Sequence, residues 1–181
     1  MDIKNKKVVV AGMGTTGRES ALFLSRKGAD VFLTETKATE QIQKEASLLN
    51  KKGIKTEIGG HTEKFLAGME ILVVSPGVPD EALPVKYAES RNIPIISEIE
   101  LAFIFSPTKK IIAITGTDGK TTTTALTGAI LRKAGIPAVV CGNIGNPFIG
   151  ELENVAEDVY VVLEVSSFQL ERTKSFKPFI G

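Results

Sequence analysis

Gly116, Thr117, Asp118, Gly119, Lys120 and Thr121 are entered from the apolar run 110–114 through Thr115 and are succeeded by three further threonines. The two glycines permit backbone conformations and close approaches that a Cβ would block, so several N–H groups can converge on phosphate oxygens. Lys120 adds a point charge suited to β- and γ-phosphates. The hydroxyl of Thr121, with Thr122 behind it, can face a Mg²⁺ bridging those phosphates. The spacing is G-x-x-G-K-T, shorter than the common P-loop, which would need a glycine where this chain has Ile114. A plain glycine turn that happens to hold a lysine is the alternative. Leu126, Ile130 and Ala134 at a spacing of four, then Gly135 and Pro137, instead read as a packed helix that begins at the loop and stops there. Residues 116–122 therefore read as an ATP site, with Lys120 as its catalytic cation.

A second constellation lies near the amino terminus. Gly12-Met13-Gly14-Thr15-Thr16-Gly17 follows an apolar strand and opens a helix, with Glu35 eighteen positions beyond Gly17. That is the dinucleotide-binding pattern: glycines admit a pyrophosphate to a helix N-terminus, and an acid at the end of the second strand holds a ribose hydroxyl. NAD is the default ligand, but glycine geometry recognises a pyrophosphate whatever base it carries. Glu35, Thr36 and Lys37 stand where the base would be read. Ser75-Pro76-Gly77-Val78-Pro79 follows another apolar strand, at a strand end where α/β sheets bind ligands; standing alone it would be a proline-glycine turn. The run 159–163 ends in Glu164, placed as the acids that coordinate Mg²⁺ in nucleoside triphosphatases, so Thr121 and Glu164 form the expected metal pair. Asn143, in the loop 142–145, could donate to a substrate oxygen or merely brace its own turn.

The elements that must position these groups alternate between strand and helix, which predicts an α/β protein with parallel sheets. Strands are expected near residues 8–11, 31–34, 55–58, 71–75 and 93–97, and helices near 16–27, 39–52 and 81–91. Ser97-Glu98-Ile99-Glu100 reads as a capping box opening a short apolar helix to Phe105, stopped by Pro107. A second unit follows, with strands at 110–115, 138–141 and 159–165 and a helix at 121–134. The division is expected as 1–97 and 98–181. The second unit looks truncated, since Phe179-Ile180-Gly181 stands where a further buried strand would begin.

Composition narrows the function classes. Of 181 residues, 43% are hydrophobic, enough for a core; 22 basic against 21 acidic residues give a net charge of +1 and no electrostatic case for nucleic acid or an anionic membrane. No apolar run nears the ~18 residues of a membrane span, and the polar start is unlike a secretory signal. A cytoplasmic monomer is expected. One cysteine, Cys141, and one histidine, His61, cannot build a Cys/His metal cluster. Cys141 reads as buried and His61 as a solvated loop residue.

Together these motifs, with Glu164-Val165-Ser166-Ser167-Phe168-Gln169-Leu170-Glu171, resemble the Mur ligases of bacterial peptidoglycan synthesis, and within them the D-glutamate-adding branch. The resemblance implies a Rossmann-like domain for a UDP substrate, followed by a P-loop mononucleotide-binding domain. It implies UDP in place of NAD, with Thr15 and Thr16 at the diphosphate, Glu35 and Thr36 at uracil, and Gly77 and Asn143 along the sugar-lactoyl-alanine portion. Glu35 and Lys37 stand where relatives often carry aspartate and arginine, which alters the reach toward uracil. The implied reaction is ATP-dependent: the carboxylate of UDP-N-acetylmuramoyl-L-alanine takes the γ-phosphoryl group, and D-glutamate displaces phosphate from the acyl phosphate. The family also uses a later histidine, a modified lysine and a third domain, none found in this sequence, so the chain alone is expected to be inactive. The opposing reading is a non-catalytic NAD-sensing module with a vestigial P-loop. Folylpolyglutamate synthetases share the short loop but lack the leading domain.

Overall fold

The computed structural model describes residues 1–143 and 145–181. The chain divides into two compact units, Met1–Glu98 and Ile99–Gly181.

The first unit is built on five parallel strands: β1 (Lys7–Ala11), β2 (Asp30–Glu35), β3 (Lys55–Ile58), β4 (Ile71–Val74) and β5 (Ile95–Ser97), in spatial order β3-β2-β1-β4-β5. Parallel strands require crossovers, supplied by α1 (Thr15–Arg26), α2 (Glu40–Lys51), the short α3 (Glu63–Leu66) and α4 (Leu83–Ser90). Val8, Val9, Val10 and Ala11 of β1 are fully buried, as a central strand covered on both faces demands. Val9 and Ala11 pack with Leu72 and Val74 of β4 and Val85 and Ala88 of α4 in one cluster. α2 starts where Thr39 accepts the Ile42 amide, and Thr62 does the same for α3 through Phe65. The strand order reverses direction between β1 and β4, so the loops leaving these two strands diverge and open a crevice.

The second unit opens with α5 (Glu98–Phe105), then β6 (Ile111–Ile114), α6 (Lys120–Lys133), β7 (Ala138–Gly142), α7 (Phe148–Glu151) with a 3₁₀ turn at Leu152–Asn154, β8 (Tyr160–Glu164) and α8 (Ser167–Leu170). Its sheet is parallel in the order β6-β8-β7. The central place of β8 explains why Val161, Val162 and Leu163 are fully buried, while Ile112, Ala113 and Ile114 of β6 are only half-buried. Ile180 forms a parallel bridge to Ile112, so the residues expected to begin another strand do pair with β6. Cys141 is fully buried in β7.

One expectation needs correction here. The stripe Leu126-Ile130-Ala134 does not face the core: Leu126 and Ile130 are each 58% exposed, and α6 buries Thr124 and Gly128 instead. Small residues set that face because a Cβ on Gly128 would fall 2.2 Å from the Val140 methyl, so helix and strand meet at glycine distance. Glu100 has a use the capping-box pattern does not reveal. Its carboxylate accepts the amides of Lys174, Ser175 and Phe176 and the Ser175 hydroxyl, at 2.6–3.1 Å, and so holds a strap seventy-odd residues away.

Candidate functional site

In the first unit, the glycine loop joins β1 to α1 and is pressed against the turn that leaves β4. Gly12 takes φ +94°, and a Cβ there would stand 3.0 Å from that of Ser75; a Cβ on Gly17 would meet the Gly12 carbonyl oxygen at 1.9 Å. Ser75 Oγ donates to that same carbonyl at 3.4 Å. Gly14 is the N-cap of α1 and has open space around it, with no side chain capping the helix. The first amides of α1 thus remain available to an anion.

Glu35 closes the opposite side. Burial pushes its pKa up, but the amides of Met13 and Lys37 and the Thr36 hydroxyl outweigh that and hold the carboxyl below its ordinary value. The bonds measure 2.9 Å from Met13 N, 3.0 Å from Lys37 N and 3.1 Å from Thr36 Oγ1. Glu35 therefore stitches the glycine loop to the end of β2 as a charged carboxylate. Gly12, Gly14, Glu35, Thr36, Lys37, Ser75 and Gly77 share the walls of one cleft of about 600 Å³. Thr15 and Thr16 occupy the first turn of α1, outside the lining of that cleft.

His61 is a second correction to the sequence reading. It is half-buried, lines the cleft, and bonds through Nδ1 to the buried Thr34 hydroxyl at 2.6 Å. Burial lowers its pKa against the pull of Glu35 and Glu57. Sequence separation hid this contact; the only available signal was the pair Gly59-Gly60, which turns the chain back just past β3.

In the second unit, Gly116 and Gly119 take φ +145° and +74°, backbone that a side chain would strain. Gly119 is the N-cap of α6, again without a side-chain cap, so this helix too offers unsatisfied amides at its start. Thr117, Asp118, Thr121 and Thr122 are exposed on the loop and the first turn. Lys120 folds back over the loop, its Nζ 2.7 Å from the Gly116 carbonyl oxygen and 3.1 Å from that of Thr117.

Glu164 ends β8 in register with Ile114, the last residue of the strand feeding this loop. It is 1% exposed. Asn143 Nδ2 donates to Oε1 at 2.9 Å and the Asn143 amide donates to the Glu164 carbonyl, also at 2.9 Å, while Oε2 is buried with no partner among the described residues. A buried carboxylate oxygen left unmatched is costly unless a cation completes it, so this donor fits a hard divalent ion. Asn143 is thus brought to Glu164; its neighbour Ile144 lies outside the described residues. The stretch after Glu164 has a structural component that its pattern did not announce. Ser166 and Gln169 form a capping box that starts α8, Ser166 N donating to Gln169 Oε1 at 2.9 Å.

Comparison with known proteins agrees with this geometry. Residues 6–97 match the Mur ligase MurD-like N-terminal domain, and residues 114–181 match the Mur ligase middle domain. The chain is 47% identical over all 181 residues to the UDP-N-acetylmuramoylalanine–D-glutamate ligase of Caldicellulosiruptor bescii, and 44% identical to the protein of the same name from Koribacter versatilis. It spans about 40% of the length of each of these curated relatives. Among solved structures, the UDP-N-acetylmuramate-alanine ligase MurC of Thermotoga maritima superposes with a TM-score of 0.53 at 23% identity, over 89% of this chain and 37% of that one. That likeness bears on the fold, which is the same pairing of a Rossmann-like and a P-loop parallel-sheet domain. On both domain matches, this chain belongs to the Mur ligase family and carries its MurD-like N-terminal and middle domains.

Proposed function

We propose that the chain supplies the UDP-substrate and ATP sites of an ATP-dependent ligase that adds D-glutamate to UDP-N-acetylmuramoyl-L-alanine in the cytoplasm. The observation that carries this reading is the buried Oε2 of Glu164, unpartnered among the described residues, beside the strand leading into Gly116–Thr121. Such an oxygen has a use where a metal–triphosphate must be held, and none in a dinucleotide sensor with a vestigial loop.

In this reading the first amides of α1 hold the diphosphate of the UDP substrate, with Thr15 and Thr16 at its oxygens. Glu35 and Thr36 face uracil, and Gly77 leaves room for the muramoyl portion. The amides of residues 116–122 cradle ATP. Thr121 and Glu164 would hold Mg²⁺, which supplies charge to the phosphates when bound. Lys120 leaves the carbonyls of Gly116 and Thr117 to meet the γ-phosphate, where it offsets the repulsion between the substrate carboxylate and the triphosphate. Asn143 keeps Glu164 aimed and stands near the arriving carboxylate. The product of that encounter is an acyl phosphate, which the amine of D-glutamate opens.

As a 181-residue monomer the chain binds both nucleotides and does not turn over. Titration calorimetry with UDP-N-acetylmuramoyl-L-alanine and with NAD tests the reading; a preference for NAD removes it.

A further inference from the structure

The cleft contains one ring that the glycine-loop pattern gives no reason to expect. His61 follows β3 across Gly59 and Gly60, at φ +83° and +154°, and the amides of those glycines are tied to the carbonyls of Lys37 and Glu35 at 3.3 and 3.2 Å. The imidazole is thereby fastened to the strand end bearing Glu35, Thr36 and Lys37, and it lines the same cleft. Thr34, fully buried, approaches Nδ1 to 2.6 Å, while its other two contacts, the Gly60 carbonyl and Glu57 Oε2, lie at 3.3 and 3.5 Å. The Thr34 hydroxyl can donate to Nδ1, and in that tautomer the ring proton sits on Nε2. Among the described residues Nε2 has no protein partner.

We propose that His61 recognises the base of the bound nucleotide, its Nε2–H donating to a carbonyl oxygen of the pyrimidine. This rests on the reading of the cleft as a UDP site. The diphosphate belongs at the glycine loop and the start of α1, so the nucleoside extends toward the ends of β2 and β3, where His61 stands. The ring, kept neutral at pH 7 by burial, offers a directed donor in place of a diffuse charge. A fixed donor favours a base carbonyl and leaves the phosphates indifferent.

His61 is the sole histidine of the chain, so ¹⁵N-histidine labelling gives one ring to follow by NMR. The probes are UDP and inorganic pyrophosphate, each titrated into the full chain at pH 7.5. The free chain should show the Nε2–H tautomer; UDP should shift Nε2 and its proton, and pyrophosphate should not. His61→Ala should weaken UDP about tenfold, the scale of one hydrogen bond, and leave pyrophosphate unchanged, while His61→Gln should restore part of the loss. In a second, uniformly ¹⁵N-labelled sample, UDP shifts at the Gly12 and Gly14 amides with an unmoved His61 ring would overturn this inference alone. No UDP response at Gly12, Gly14 or His61 would overturn the reading of the cleft and this inference with it.

Discussion

Glu164 is the residue on which the proposed chemistry of the second unit turns, because among the described residues only one of its two carboxylate oxygens is matched. Glu164→Gln keeps the acceptor for Asn143 and removes the unmatched charge. Manganese binding in the presence of ATP, read by electron paramagnetic resonance, should weaken at least about tenfold, and the thermal midpoint should not fall. The loop itself was legible in sequence, since Gly116, Gly119, Lys120 and Thr121 act through chain-local geometry. Glu164 was legible from its place after an apolar run. Its bond to Asn143 and the pairing of His61 with Thr34 were not, because each joins residues more than twenty positions apart whose meeting is decided by strand register.

At the scale of elements, the strands and major helices could be read from alternating apolar runs and their stops, whereas the buried face of α6 could not. Leu126 and Ile130 look like a core stripe, yet the close approach of β7 selects Thr124 and Gly128. Gly128→Ala should therefore destabilise by about 1–3 kcal/mol in urea melts, because overpacking against Val140 exceeds the roughly 1 kcal/mol of helix propensity gained. Adding Val140→Ala should recover part of that loss. The strap at residues 174–176 depends on Glu100 in the same contingent way. Burial pushes the Glu100 pKa up, but the Ser175 hydroxyl and the three amides prevail and hold it below the ordinary value. The folded value thus lies under the unfolded one, so its contribution is fully present above about pH 4.3 and is lost as pH falls through the depressed folded value. Glu100→Ala should cost about 3 kcal/mol and expose the amides of residues 174–176 to rapid hydrogen exchange. It should also flatten the acid limb of the stability curve.

For the whole molecule, each of the two units has its own parallel sheet, its own core and its own uncapped helix start facing a glycine loop. Differential scanning calorimetry should resolve two transitions. UDP should raise the one belonging to Met1–Glu98, and ATP with Mg²⁺ the one belonging to Ile99–Gly181, each by about 2.7 kcal/mol at a hundredfold excess over its dissociation constant. A single transition raised by both ligands would contradict separable sites. The repeat of strand, glycine loop and helix made this duplication readable from sequence. The spatial order of the second sheet was not readable, because β8, the last of the three strands in sequence, sits between the first two, β6 and β7.

The outward-facing Leu126 and Ile130 lie one turn apart on α6, leaving a greasy ridge in contact with solvent. Salts that raise the surface tension of water penalise such a ridge more than they penalise the charged flanks. The chain should accordingly come out of solution early in an ammonium sulfate series, and charged replacements at those two positions should delay that onset without disturbing either nucleotide.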